Sequence, residues 1–302
     1  MTPDSPCTVC ARSGSLIAYD TYKHVWYECV ACRNWSREKK ARYPLEALAA
    51  SGLRGLGLLA KPNKSDQELY SYYTGVLAEF EASGSRGKWA GELADLAKLL
   101  ADNGHELAPG QRILDISGEP GFLAHDARQN GHEVAVTAFV PEVATAIART
   151  LGFPAHAYDF AVGGLPAAVE RNDFSWVLSR YGIGYCEDLG QFAREVHAVM
   201  ASGGHVFVSY SPASHAVPLR WMFDDYAYLR QYTPDYVART MQGAGLELAR
   251  IIQMGSYAWD AGLGKPQRLF SAPYSWQRRF QGLPPYACQQ HNVGLVFRKP
   301  AH

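Results

Sequence analysis

The sequence predicts an α/β protein: a parallel sheet covered by helices on both faces, with an antiparallel strand pair at one edge, behind a small cysteine-bound head and a helical connector. Three observations carry that prediction. From Gln111 onward short apolar runs alternate with helical stretches, which is the signature of βαβ units. Four of the six cysteines stand in the first 32 residues as two Cys-x-x-Cys pairs. Of the 302 residues, 47% are hydrophobic, ample for a packed core and against intrinsic disorder. Lys+Arg and Asp+Glu number 29 each, so the formal charge is zero. No global field then invites nucleic acid or an anionic membrane. No run approaches the roughly 18 uninterrupted apolar residues of a membrane span, and the first residues form neither a basic nor an apolar leader segment. A cytoplasmic protein is expected.

Taken in order, the head comes first. Cys7 and Cys10 are followed, after eighteen residues, by Cys29 and Cys32. Two such knuckles place four thiolates around one tetrahedral ion, and the alternating run Thr21–Glu28 reads as the strand that delivers the second knuckle. The spacing predicts a zinc ribbon. Because all four positions are filled by protein, the zinc is expected to be structural. Cys186 and Cys288 stand alone. The segment Arg33–Arg42 carries five basic residues, one acidic residue and Trp35. It reads either as a contact for a phosphate backbone or, preferably, as a solvated helix start beside the ribbon.

Residues 1–62 are thus expected to hold the ribbon and a short helix from Pro44 to about Ala60. Residues 63–105 read as the connector. There Ser65 or Asp66 caps one helix with Leu69, Tyr72, Tyr73, Val76, Leu77 and Phe80 at helical spacing; a second uses Trp89, Leu93, Leu96, Leu99 and Leu100 and stops at Asn103-Gly104. Residues 106–302 carry the sheet. Its strand-like runs are RILDIS, EVAVTAF, FPAHAYDF, FSWVLSR and GGHVFVSYS, then LELARIIQM and NVGLVFRK around a Pro- and aromatic-rich insert. A sheet of this kind binds its ligand outside the carboxyl ends of the strands.

The run Ile113–Leu123 is a strand, a tight glycine loop and a helix start, which lets backbone approach a ligand at a helix N-terminus. In this setting it resembles the first motif of class I S-adenosylmethionine-dependent methyltransferases. Asp159 at the end of AHAYDF, the run Asn172–Ser179, the helix and Gly-Gly turn Gln191–Gly204, and the late helix Leu229–Gly245 are similar to further motifs of that family. The ribbon and Glu68–Tyr73 are similar to one subgroup, whose members modify sugars or natural-product intermediates. The resemblance implies a Rossmann-like sheet, a small-molecule acceptor, and a cofactor site of Asp115, Ser117, Gly118, Glu119, Gly121, Phe139, Asp159, Phe160 and Ser179. In the family Asp159 would bond the adenine amino group.

The loop and the end of the second strand depart from the family pattern at three positions. Ser117 and Glu119 stand where the loop normally carries glycine, and Ala138 stands where the second strand normally ends in the carboxylate that grips the ribose. Three readings compete: Glu119 supplies the missing carboxylate; the pocket serves a modified cofactor or non-methyl chemistry; or the fold is a non-catalytic scaffold whose ribbon binds a partner. For an acceptor proton, His215 beyond the fifth strand is the best-placed base by residue type. Tyr185 and Tyr181 are weaker candidates that need activation by a cation such as Arg180, and each reads more simply as a pocket-lining aromatic. Trp221–Tyr228 reads as an acceptor-stacking cluster or a helical lid, and the Tyr257–Tyr286 insert as a cover for the acceptor or a homodimer contact.

Overall fold

The computed structural model describes residues 2, 4–20, 24–39, 66–169, 173–213, 217–218, 230–256, 276, 279–280, 286–287 and 291–301. The expected helix 44–60, the Lys61–Ser65 linker, the Trp221–Tyr228 cluster, Cys288, His215 and most of the 257–286 insert lie outside them. The chain divides into two compact units. One joins Met1–Asn63 with Ser211–Tyr236 and Gln253–Val293; the other joins Lys64–Tyr210 with Val237–Ile252 and Gly294–His302.

In the first unit β1 (Leu16–Asp20), β2 (His24–Cys29) and β3 (Trp35–Lys39) form an antiparallel meander. A two-residue strand, Arg230–Gln231, completes it against Ser36 and Trp35. The strand expected over Thr21–Glu28 is found as β2 over His24–Cys29, residues 21–23 lying outside the described residues. The preferred helix start after Cys32 is instead β3: Trp35 faces Glu28 across the ladder and is 2% exposed. Burying that indole on a sheet outweighs the helical bias of the basic residues around it. Asn34 then accepts the Thr233 N–H at 2.6 Å, and the Tyr236 hydroxyl donates to the Val9 carbonyl at 3.1 Å. Residues expected to belong wholly to the sheet domain are therefore bonded into the ribbon.

In the second unit the helices α1 (Asp66–Ser83) and α2 (Glu92–Ala101) lead into β4 (Arg112–Ile116). There follow α3 (Phe122–Gln129), β5 (Glu133–Ala138), α4 (Pro141–Leu151), β6 (Ala155–Ala157), β7 (Phe174–Arg180), α5 (Leu189–Val199) and β8 (Met200–Tyr210). Local chemistry sets their ends. Pro141 begins α4 with its φ already helical, and the Asp188 carboxylate caps α5 by accepting the Gln191 N–H at 2.9 Å. β9 (Val217–Pro218) and β12 (Tyr286–Ala287) pair separately; β10 is Arg230–Gln231, and α6 (Pro234–Gly243), β11 (Glu247–Ser256) and β13 (His291–Arg298) complete the elements.

The large sheet runs β11-β13-β8-β7-β4-β5-β6, with β4, β5, β6, β7 and β8 parallel. Lys299, just past β13, exchanges backbone bonds with Gly203 and Gly204 near the start of β8, so β13 runs antiparallel. The late strand pair lies at one end of the sheet, as expected, with β11 outermost. Ile113, Leu114 and Ile116 are all fully buried, the mark of a central strand with helices on both faces. The Gly-Gly turn expected before the fifth strand lies inside β8 instead, where the register with β7 shifts between Phe174 and Trp176.

Candidate functional site

At the carboxyl end of β4 the chain turns through Ser117, Gly118, Glu119, Pro120 and Gly121 into α3. Ser117 sits at φ 56°, the left-handed region that serine rarely occupies. It is held there by β5: its N–H donates to the Thr137 hydroxyl at 3.1 Å, and the Gly118 N–H donates to the Thr137 carbonyl at 3.1 Å. Gly118 is required by close approach, since a Cβ there would stand 2.6 Å from the Asp115 Cγ. Gly121 enters α3 at φ 90°.

Asp115 is fully buried, and neither carboxylate oxygen has a hydrogen-bond partner. Burial lifts its pKa to about 6; Arg180 pulls the other way, and Glu92 adds to the rise. The Arg180 Nη2 stands 3.7 Å from Asp115 Oδ2, while its Nη1 donates to Glu92 Oε2 at 3.1 Å. Ser179, also fully buried, presents an Oγ with no hydrogen-bond partner. Such orphaned polar atoms at strand ends are what a ligand satisfies.

The side chain of Glu119 reaches the end of β5, where Oε1 accepts the Phe139 N–H at 2.5 Å. Burial pushes its pKa up to about 7, the Phe139 N–H opposing. Ala138 is fully buried and Phe139 is 39% exposed. Tyr73 of α1 is raised by burial and then by Glu119 and Tyr185, so the three groups share one neighbourhood. Asp159 lies two residues past β6, half-buried, with Oδ1 accepting the Ala161 N–H at 2.8 Å. Phe160 is 4% exposed and packs on Tyr158 and Phe192, with ring centroids 5.2 and 5.3 Å away. Tyr181 follows β7 at φ 60° with its N–H on the Ser209 carbonyl at 2.7 Å. Tyr185 ends a short 3-10 turn and is 39% exposed.

The loop, Asp115, Glu119 and Phe139 are thus brought together, with Tyr185 in reach of Glu119 through Tyr73. Glu92 and Thr137 belong to this neighbourhood but carry no sequence signal of it, because each meets its partner only across the fold; Tyr73 lies in the segment whose resemblance marked the family but not its place at the loop.

A family described as "Methyltransferase domain" matches residues 87–251, more than half of the chain. The chain belongs to this family. It is by family a class I S-adenosylmethionine-dependent methyltransferase, and the strand order and motif-one loop above are where that membership shows. Among solved structures the methyltransferase domain is similar in fold to the (4+2)-cyclase SpnF, at 16% identity and TM-score 0.50, covering 81% of this chain and 99% of that one. It is also similar to a candidate methyltransferase from Bacillus halodurans C-125, at 15% identity and TM-score 0.51, covering 69% of this chain and all of the other. No curated protein matches the sequence.

The ribbon is a second candidate site. The sulfurs of Cys7, Cys10, Cys29 and Cys32 all lie within 4.8 Å of one another, with Cys7–Cys32 at 3.9 Å and Cys10–Cys29 at 3.7 Å. Sulfurs at about 2.3 Å from a tetrahedral zinc stand about 3.8 Å apart, so the cluster has the dimensions of a four-thiolate site. The knuckles repeat one backbone form: Ala11 and Arg33, each following the second cysteine of its pair, adopt φ 59° and 61°, and their N–H groups bond the Cys7 and Cys29 carbonyls. Among the described residues no helix is long and apolar enough to cross a membrane.

Proposed function

We propose that the protein is an S-adenosylmethionine-dependent methyltransferase of a small molecule, a sugar or natural-product intermediate, with a rebuilt ribose site. The observation that carries this reading is the Glu119 carboxylate, seated on the Phe139 N–H one residue past Ala138. That is the strand end where the family pattern places an acid, so the loop supplies the charge the strand has lost. Bound there, S-adenosylmethionine supplies an electrophilic methyl group. Glu119 would take the ribose hydroxyls, Asp159 the adenine amino group, and Asp115 with Ser179 the amino-acid end. Ser117 and Gly118 would pass along that end, Gly121, whose missing Cβ would meet Ile147 and Leu151 of α4 at 3.0 Å, lets α3 start against that helix, and Phe139 and Phe160 would wall the adenine side.

On the acceptor side Tyr185 lies at the exposed rim and Tyr181 at the end of β7. We assign His215 as base, with the tyrosines lining the acceptor. The ribbon holds zinc through Cys7, Cys10, Cys29 and Cys32 and has no open ligand position for chemistry. The acceptor is a small molecule rather than a nucleic acid, in keeping with the neutral chain; the protein works in the cytoplasm, and a homodimer through the 257–286 insert fits the same reading.

A second reading, non-methyl chemistry on this fold, is favoured by the altered loop and by the likeness in fold to SpnF, which is a cyclase. Calorimetric titration with S-adenosylmethionine tests the cofactor site on which both readings rest. Wild-type protein binds, and Glu119→Ala binds at least about tenfold more weakly, as loss of charge-assisted hydrogen bonds requires. Equal affinity in the two proteins refutes the Glu119 assignment.

A further inference from the structure

Arg180 joins two acidic groups at the carboxyl end of β7. Arg180, at the end of β7, donates to Glu92 at 3.1 Å and stands 3.7 Å from Asp115. Asp115 pairs with Leu178 in the sheet, and Arg180 lies two residues on, so side-chain alternation puts Asp115 and Arg180 on one face. Ser209, opposite Arg180 on β8, shares that face. Here the closer bond goes to Glu92 and not to Asp115. Glu92 takes the guanidinium, and both oxygens of Asp115 are left without a hydrogen bond, as are Arg180 Nε and Ser209 Oγ.

With both acids ionised the three groups carry one net negative charge. A fully buried carboxylate without a donor is costly, and the missing partner it calls for is a cationic donor. Were Glu92 neutral, Arg180 would be free to pair wholly with Asp115, which would fill its oxygens and set a positive charge where a cation has to enter.

We propose that Glu92 is a positioning residue: by holding Arg180, it keeps the Asp115 carboxylate open to the ammonium group of a ligand with an amino-acid end. The proposal rests on the cofactor reading above and adds to it a residue of α2 that touches no ligand. The charged and titratable groups around Asp115 are Arg180 from β7, Glu92 from α2 and Glu119 from the loop, with Tyr181 beside Arg180.

The test is calorimetry on the full chain with two probes: S-adenosylhomocysteine, which has the amino-acid end, and 5′-methylthioadenosine, which lacks it. Glu92→Gln weakens S-adenosylhomocysteine by about tenfold, one charge-assisted contact, and leaves methylthioadenosine unchanged. Glu92→Asp, which keeps the charge, recovers most of the loss. In Glu92→Gln the acid limb of the pH profile for S-adenosylhomocysteine moves to lower pH, because Arg180 now pairs with Asp115 alone. Unchanged S-adenosylhomocysteine affinity in Glu92→Gln overturns the proposal, as does equal loss of both probes or an equal deficit in Glu92→Asp. Failure of the wild type to bind either probe overturns the cofactor reading itself and this proposal with it.

Discussion

Replacing Gly118 with alanine probes the contact on which the loop is built. The added Cβ would press hardest on Asp115 Oδ2 and would stand 2.6 Å from its Cγ, against the 3.4 Å at which ordinary contact begins, so Asp115 has to move by at least about 0.8 Å. Its surroundings resist: Ile113, Leu114 and Ile116 on the same strand are fully buried. Forcing a side chain off its rotamer costs roughly 0.5–1.5 kcal/mol, and overpacking a closed interior costs about 1–3 kcal/mol. A combined loss of about 3 kcal/mol lowers the melting temperature by about 6–12 °C in a domain of this size. The same displacement moves the carboxylate assigned to the ligand's ammonium, so S-adenosylhomocysteine affinity falls by more than about tenfold. Thermal denaturation followed by circular dichroism, with calorimetry on the same protein, measures both. A Gly118→Ala protein that melts within about 2 °C of wild type and binds within about twofold would refute the reasoning.

Two further outcomes are expected. Asp115 and Glu119 are lifted by burial to about 6 and about 7, above the ordinary carboxyl values of 3.8 and 4.5. The folded, ligand-free protein therefore keeps protons on these two groups that the unfolded chain has released, and their contribution to stability declines as pH rises from about 4 through about 7, against the opposite trend of His105, His125, His156 and His205, which burial holds below the usual imidazole range. Thermal melts of wild type and Glu119→Gln across that range isolate the contribution: wild type loses stability relative to the variant between about pH 5 and 7, and a constant difference between the two proteins over that range contradicts the assignment. Elemental analysis finds about one zinc per chain, and Cys10→Ser carries clearly less; protein that keeps its melting profile after complete metal removal would rule out a structural ion.

Much of the sheet was legible because strands buried on both faces read as plain apolar runs: RILDI and FSWVLSR became β4 and β7 nearly residue for residue. FPAHAYDF yielded only Ala155–Ala157, since β6 is an outer strand with one neighbour and pairs only where β5 reaches it. The ribbon's cysteines were legible through spacing alone. What spacing cannot carry is a partner far along the chain: Asn34 meets Thr233 across 199 residues, so the return of the chain into the ribbon has no local mark. Arg33–Arg42 misled for a related reason, because the helical bias of its charged residues lost to the one indole that the neighbouring strand buries.

The site shows the same division more sharply. In the sequence Ser117 and Glu119 are two missing glycines and Ala138 is a missing acid, three independent defects. In the structure they are one arrangement on β5. Thr137 holds Ser117 in a backbone form that glycine would enter without cost, and Phe139, the residue after the strand ends at Ala138, donates its N–H to the Glu119 carboxylate. A left-handed serine costs about 1–2 kcal/mol, and a half-buried acid raised to about 7 adds a further cost, so neither is retained by packing alone. Both costs fall at the carboxyl end of the strands, beside orphaned oxygens of Asp115 and Ser179. Strain and unsatisfied charge gathered at one place mark a loop shaped to hold a ligand, and they weigh against a worn-out scaffold, from which selection for binding would long since have let such costs disappear.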